Sequence, residues 1–158
     1  VGTSIALAAD LIYAAETAYL LLPFTSIGLM PDGGATAMVA AAMGRARAAE
    51  LALLGARLPA PDAAAAGLIT RSLPADQLDL EVDAVAAKLA AGPRRALELT
   101  KAALNAATLA DLDAALAREK AGQSELLVSP DFLEGMTAML TRRAPRFAGA
   151  PAPIADPA

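Results

Sequence analysis

The stretch LLPFTSIGLMPDGGAT, residues 21 to 36, sets a single carboxylate, Asp32, between a proline and two glycines at the end of an apolar run. The chain contains no His and no Cys. A Ser-His-Asp triad, a thiol nucleophile and a Cys/His zinc site are therefore beyond its means, and proton transfer falls to a carboxylate, a Lys or a Tyr. No metal site is expected. A carboxylate at this place has two uses: it closes a Pro-Asp-Gly turn and caps the helix that starts near Gly34, or it moves a proton as general acid and base. Gly33 and Gly34 divide in the same way, between serving the turn and letting backbone approach a ligand closely. The P-loop pattern, with its Lys, is not met.

The elements that must position Asp32 follow from periodicity and punctuation. A short helix is read at 2 to 9, strand-like segments at LIYAA (11 to 15) and AYLLL (18 to 22), and the PDGGAT turn after them. Two helices, 34 to 43 and 45 to 54, are separated at Gly44, and a third at 61 to 66 leads through Gly67 into the strand candidate LITRSL. This part is α/β in character. From Pro74 the pattern is helical throughout. Leu78, Val82, Val85 and Leu89 recur at helical spacing, Leu97 and Leu104 share a face after Pro93, and a third helix spans 109 to 126. Ser129 is placed as the N-cap of a fourth, with Pro130 at its first position.

The expected organisation is thus 1–74 as an α/β part, 75–147 as a helical region packing on something outside itself, such as a neighbouring subunit, and 148–158 as a Pro/Ala-rich disordered tail. The chain starts at Val1 without Met and enters an apolar segment at once, so it is read as the C-terminal part of a larger protein. Thirteen Lys and Arg against seventeen Asp and Glu give a net charge of −4, and no basic run exceeds Arg142-Arg143. Nucleic acid is not expected as a partner. No apolar run reaches membrane-spanning length, since Asp10 and Glu16 interrupt the first segment. A soluble, cytoplasmic protein is expected, and the absence of Cys is compatible with a reducing compartment.

GTSIALAADLIYAAETAYLLLPFTSIGLMPDGGAT, followed by GRARAAELALLGARLPAPDAAAAGLITRSLP and later by LTKAALNAA and DFLEGMTAMLTRRAPRF, resembles the second half of the crotonase superfamily, the enoyl-CoA hydratases and isomerases, in order and in spacing. The resemblance covers residues 1 to 147. It implies a ClpP/crotonase-like ββα superhelix, here its second half, followed by an all-helical C-terminal region for oligomerisation as a homotrimer or dimer of trimers. It also implies an acyl-CoA substrate, with coenzyme A entering as the thioester and no separate cofactor. The thioester enolate is held in such proteins by two backbone N–H groups. By similarity one falls at Val1, with Gly2 beside it, and the other on a loop of the N-terminal half. Without the family, Val1-Gly2 simply open a buried helix.

The two glutamates that activate water in the hydratases are matched here by Ser4 and Phe24. Paired-carboxylate hydration is therefore not expected. In the isomerase branch a single Glu or Asp stands in a segment like the PFTSIGLMPDGG of this chain, which puts Asp32 in the acid/base place and makes a shift of the double bond from C3 to C2 the favoured activity. Phe24 then offers an apolar patch to an acyl chain, or is a core residue after a strand. Arg142, in the family's place for a basic residue at the CoA phosphates, binds substrate or complements the dipole at a helix C-terminus. Lys101 is read as a solvated face residue. A hydratase acting through atypical residues, or a non-catalytic acyl-CoA-binding or oligomerisation module, are the alternative functions.

Overall fold

Two short strands, β1 (Tyr13–Ala15) and β2 (Tyr19–Leu20), leave the first helix α1 (Gly2–Leu7) and find their partners far along the chain. The computed structural model describes residues 2–148. β1 runs parallel to β4 (Arg71–Leu73), with Tyr13 opposite Arg71 and Ala15 opposite Leu73. β2 runs antiparallel to β3 (Leu58–Pro59), with Tyr19 opposite Pro59. Between the first and second strand of each ladder lie α2 (Ala35–Met43) and α3 (Arg45–Leu54), with α4 (Ala60–Ala65) following β3. The parallel pair needs such a crossover, because strands running the same way cannot be joined by a hairpin.

The core forms where these helices meet the strands: Leu7, Leu20, Leu22, Met38, Val39, Leu51, Leu68 and Ile69 are buried together. Ala35, Ala60 and Ala63 are fully buried among them. Small side chains at these places let helix backbones approach closely, so alanine abundance carries packing as well as helix propensity. Gly44 separates α2 from α3 as the sequence requires. Two elements escaped the sequence reading, β3 and a 3-10 helix at Pro23–Ile27. The latter opens on Pro23 and is closed by Gly28 at φ 73°, a left-handed position that suits glycine.

The remaining helices are α5 (Ala75–Ala90), α6 (Arg94–Thr108), α7 (Leu112–Leu126) and α8 (Pro130–Leu140). Ser129 caps α8 through a bond from the Phe132 N–H to its Oγ at 3.1 Å, with Pro130 at the first position as expected. α5 and α6 bury no residue, and Leu80, Leu89, Leu99 and Leu104 stand exposed on them. α7 and α8 behave differently. α7 packs on α2, and α8 lies so close to the 3-10 helix that a Cβ at Gly135 would stand 2.5 Å from the Ile27 Cα. The second half of the helical region thus folds back onto the α/β part. No helix among the described residues is long and apolar enough to cross a membrane. The tail expected from 148 on falls, beyond Ala148, outside the described residues.

Candidate active site

Asp32 sits on the turn between the 3-10 helix and α2. Gly33 and Gly34 follow it with φ of 67° and 80°, two successive left-handed residues that a side chain would strain. The turn is pinned from two sides. From α1, the Ser4 hydroxyl donates to the Asp32 carbonyl oxygen at 2.8 Å, and a Cβ at Gly33 would stand 2.9 Å from the Ser4 Cβ. Ser4 is buried, so the first turn of α1 and the Asp32 turn are locked against one another.

The second support comes from α7. Its residues Leu112, Ala115, Leu116, Glu119, Gly122 and Gln123 recur at helical spacing on one face, and this face carries two polar side chains. Glu119 is 2% exposed, and its carboxylate accepts from the Gly34 N–H at 2.7 Å, the Thr36 N–H at 2.9 Å and the Thr36 hydroxyl at 2.5 Å. These amides belong to the first turn of α2, which has no partner for them within the helix and presents the positive end of its dipole. One helical turn further, Gln123 Nε2 donates to Asp32 Oδ2 at 2.9 Å. Between them Gly122 brings α7 against Met30: a Cβ there would lie 2.2 Å from the Met30 Sδ.

This arrangement corrects the capping reading of Asp32. The N-cap residue of α2 is Gly34, without a side-chain cap, and the orphan amides are taken by Glu119 from eighty-odd residues away in sequence. The Asp32 side chain is released from that duty. Asp32 is half-buried; its backbone carbonyl accepts from Ser4 and from the Ala35 N–H at 3.3 Å, and its side chain accepts from Gln123. Glu119, by contrast, has both oxygens engaged and buried.

The other residues singled out from sequence distribute as follows. Val1 lies outside the described residues; Gly2 opens α1, exposed, with nothing within 4 Å of the position a Cβ would take. Phe24 sits in the 3-10 helix, half-buried and packed against the main core, as its structural reading requires. Gly33 and Gly34 form the turn itself. Arg142 follows α8 with φ 54°, exposed, and its guanidinium makes no ion pair among the described residues; no contact brings it to Asp32. Its neighbour Arg143 grips Glu134 with two bonds, at 2.6 and 2.8 Å, and the Arg146 N–H adds a third at 2.6 Å. The Arg143 hydrogen bond, then the Arg146 amide, hold the Glu134 carboxyl down at about 2 against an ordinary 4.5. Lys101, on an exposed face, pairs with Asp10 at 2.5 Å. Among the described residues no group of three or more acidic side chains is placed to hold a metal.

Sequence reasoning missed Glu119 and Gln123. The signal was present: two polar residues four apart fall on the stripe begun by Leu112 and Ala115, where a helix buried on one face should be apolar.

Comparison with known proteins places this geometry in a family. The model of the enoyl-CoA hydratase/isomerase family matches residues 1–150. A probable enoyl-CoA hydratase of Rhodobacter capsulatus is 42% identical over 148 residues, 94% of this chain and 58% of that protein. The 1,2-epoxyphenylacetyl-CoA isomerase of Escherichia coli is 37% identical over 148 residues, 94% of this chain and 56% of that protein. Among solved structures, an enoyl-CoA hydratase from Mycobacterium avium subsp. paratuberculosis superposes with a TM-score of 0.90 at 58% identity, over 93% of this chain and 60% of that one. The chain therefore spans somewhat less than two thirds of the length of these relatives. With a family model covering nearly its whole length and a crotonase-fold structure superposing on it, the chain belongs to the enoyl-CoA hydratase/isomerase family of the crotonase superfamily.

Proposed function

We propose that the protein is an acyl-CoA double-bond isomerase, converting a 3-enoyl-CoA to a 2-enoyl-CoA through a thioester enolate, with Asp32 as the one group that carries the proton. The observation behind this reading is that the Asp32 side chain does not cap α2 and has Gln123 as its one side-chain partner among the described residues. Glu119 takes the first amides of α2, Ser4 of α1 holds the turn through the Asp32 backbone, and the half-buried Asp32 keeps one carboxylate oxygen, Oδ1, without a partner among the described residues. In the reaction the carboxylate takes a proton from C2 of the substrate, the electrons move into the thioester carbonyl, and the resulting acid returns the proton to C4. One carboxylate suffices because it ends in the state in which it began.

The enolate oxygen, by the family resemblance, rests on the backbone N–H of Val1, with Gly2 beside it, and on a second donor from a loop of the N-terminal half. Ser4, two residues beyond Gly2 on α1, donates to the Asp32 carbonyl, which ties the first turn of α1 to the Asp32 turn. Phe24, Gly33 and Gly34 would border the acyl chain, and Arg142 would meet the CoA phosphates of a neighbouring copy. Exposed leucines on α5 and α6 give surface for the trimer, or pair of trimers, that the family implies. The absence of Cys accords with a cytoplasmic location.

A second reading, hydration through atypical residues, is favoured by the names of two relatives, the Rhodobacter and Mycobacterium proteins, both called enoyl-CoA hydratases. Neither Ser4 nor Phe24 supplies a carboxylate for it. Supplying 3-enoyl-CoA and 2-enoyl-CoA separately and analysing products decides between them: bond shift without hydration supports isomerisation, and 3-hydroxyacyl-CoA as the main product overturns it.

A further inference from the structure

Gln123 carries an unusual combination of contacts for a residue on the inner face of a helix. Its Nε2 donates to Asp32 Oδ2 at 2.9 Å, while its Oε1 is buried and has no hydrogen-bond partner among the described residues. The amide orientation is set by chemistry: an ionised carboxylate only accepts, so the NH2 end must face Asp32 and the carbonyl end is left over. A buried acceptor without a partner is a cost that Leu or Met at the same place would avoid. A role confined to packing does not account for it.

We infer that Gln123 is a positioning residue for the Asp32 carboxylate: it holds one oxygen, Oδ2, and so turns the other, Oδ1, toward the substrate carbon as the proton-carrying atom. This inference rests on the isomerase reading for its catalytic meaning, though the contact itself does not. The neighbouring groups leave Gln123 this task. Glu119, the one titratable side chain that α7 brings to the turn, is committed to Gly34 and Thr36; Arg118 and Lys120 are exposed; α1 and α2 carry no titratable side chain.

The test replaces Gln123 and reads kcat and KM for the bond shift in the complete gene product, with circular dichroism and denaturant unfolding of each variant beside them. In Gln123→Leu, which fills the same space without a donor, kcat falls about tenfold with KM little changed, because orientation and not binding is lost. Gln123→Met, also without a donor, behaves in the same way. A folded Gln123→Leu protein with wild-type kcat overturns the inference, and so does one in which kcat and KM worsen together in step with lost stability. Retention of bond-shift activity in Asp32→Asn has a different target: it removes the isomerase reading itself, and with it the catalytic meaning of Gln123, while the unfolding comparison still measures the contact.

Discussion

Glu119 is the residue on which the shape of the site depends most, and the structure allows the cost of its removal to be worked through. Its carboxylate is 2% exposed and accepts three hydrogen bonds, from the Gly34 N–H, the Thr36 N–H and the Thr36 hydroxyl. In Glu119→Leu these donors lose a charged acceptor. Thr36 is exposed, so its two groups recover bonds to water, whereas Gly34 is buried and its N–H is left unsatisfied. An unsatisfied buried donor costs about 1–3 kcal/mol, and loss of the charge at the first turn of α2 adds about 0.5–1 kcal/mol. The expected destabilisation is about 3 kcal/mol, or roughly 6–12 °C in Tm for a chain of this size. Glu119→Gln keeps the volume and one acceptor oxygen but sets its NH2 against a donor, and should cost about half as much. Denaturant unfolding of the three proteins gives the comparison. A Glu119→Leu protein within 0.5 kcal/mol of wild type would refute the view that this carboxylate, and not Asp32, holds the helix start.

Gly135→Ala should detach α8 from the 3-10 helix, since the added Cβ meets Ile27 backbone at 2.5 Å; a loss of about 1–3 kcal/mol is expected by the same unfolding measurement. At the end of α8 the Glu134 carboxyl is held at about 2 by Arg143 and the Arg146 amide, below its ordinary 4.5. A carboxyl lowered on folding favours the folded end above about 4.5, and that contribution is lost as pH falls toward 2. In Arg143→Ala the Glu134 midpoint should rise toward 4.5 in a carboxyl NMR titration.

The fold was legible in the sequence where punctuation is chemical. Gly44 between α2 and α3, Pro93 before α6 and the Ser129-Pro130 start of α8 were read from residue type alone, because each follows from a backbone preference that acts locally. β3 is two residues long and exists by pairing with β2, so no local pattern announces it. The site divides in the same way. Asp32 and its two glycines stand out as a turn, and the family resemblance drew attention to the carboxylate. What the Asp32 side chain is free to do depends on Glu119, 85 residues from Gly34, and on Gln123, 91 residues from Asp32. Those partners are chosen by the packing of α7 across α2, a long-range event. The sequence reading therefore gave Asp32 the cap of α2 as its structural alternative, and the structure assigns that cap to Glu119.

The central claim is that one carboxylate, Asp32, moves the proton. Its most direct measurement is the bond shift of a 3-enoyl-CoA in deuterated water by the complete gene product, wild type against Asp32→Asn, with solvent deuterium in the product followed by mass spectrometry. Asp32→Asn, with the same fold by circular dichroism, is expected to lose about 10²–10⁴-fold in rate, and the wild-type product is expected to carry substrate hydrogen at C4 in preference to solvent deuterium, because Asp32 returns the proton it took. A wild-type rate in the Asn protein would contradict that claim.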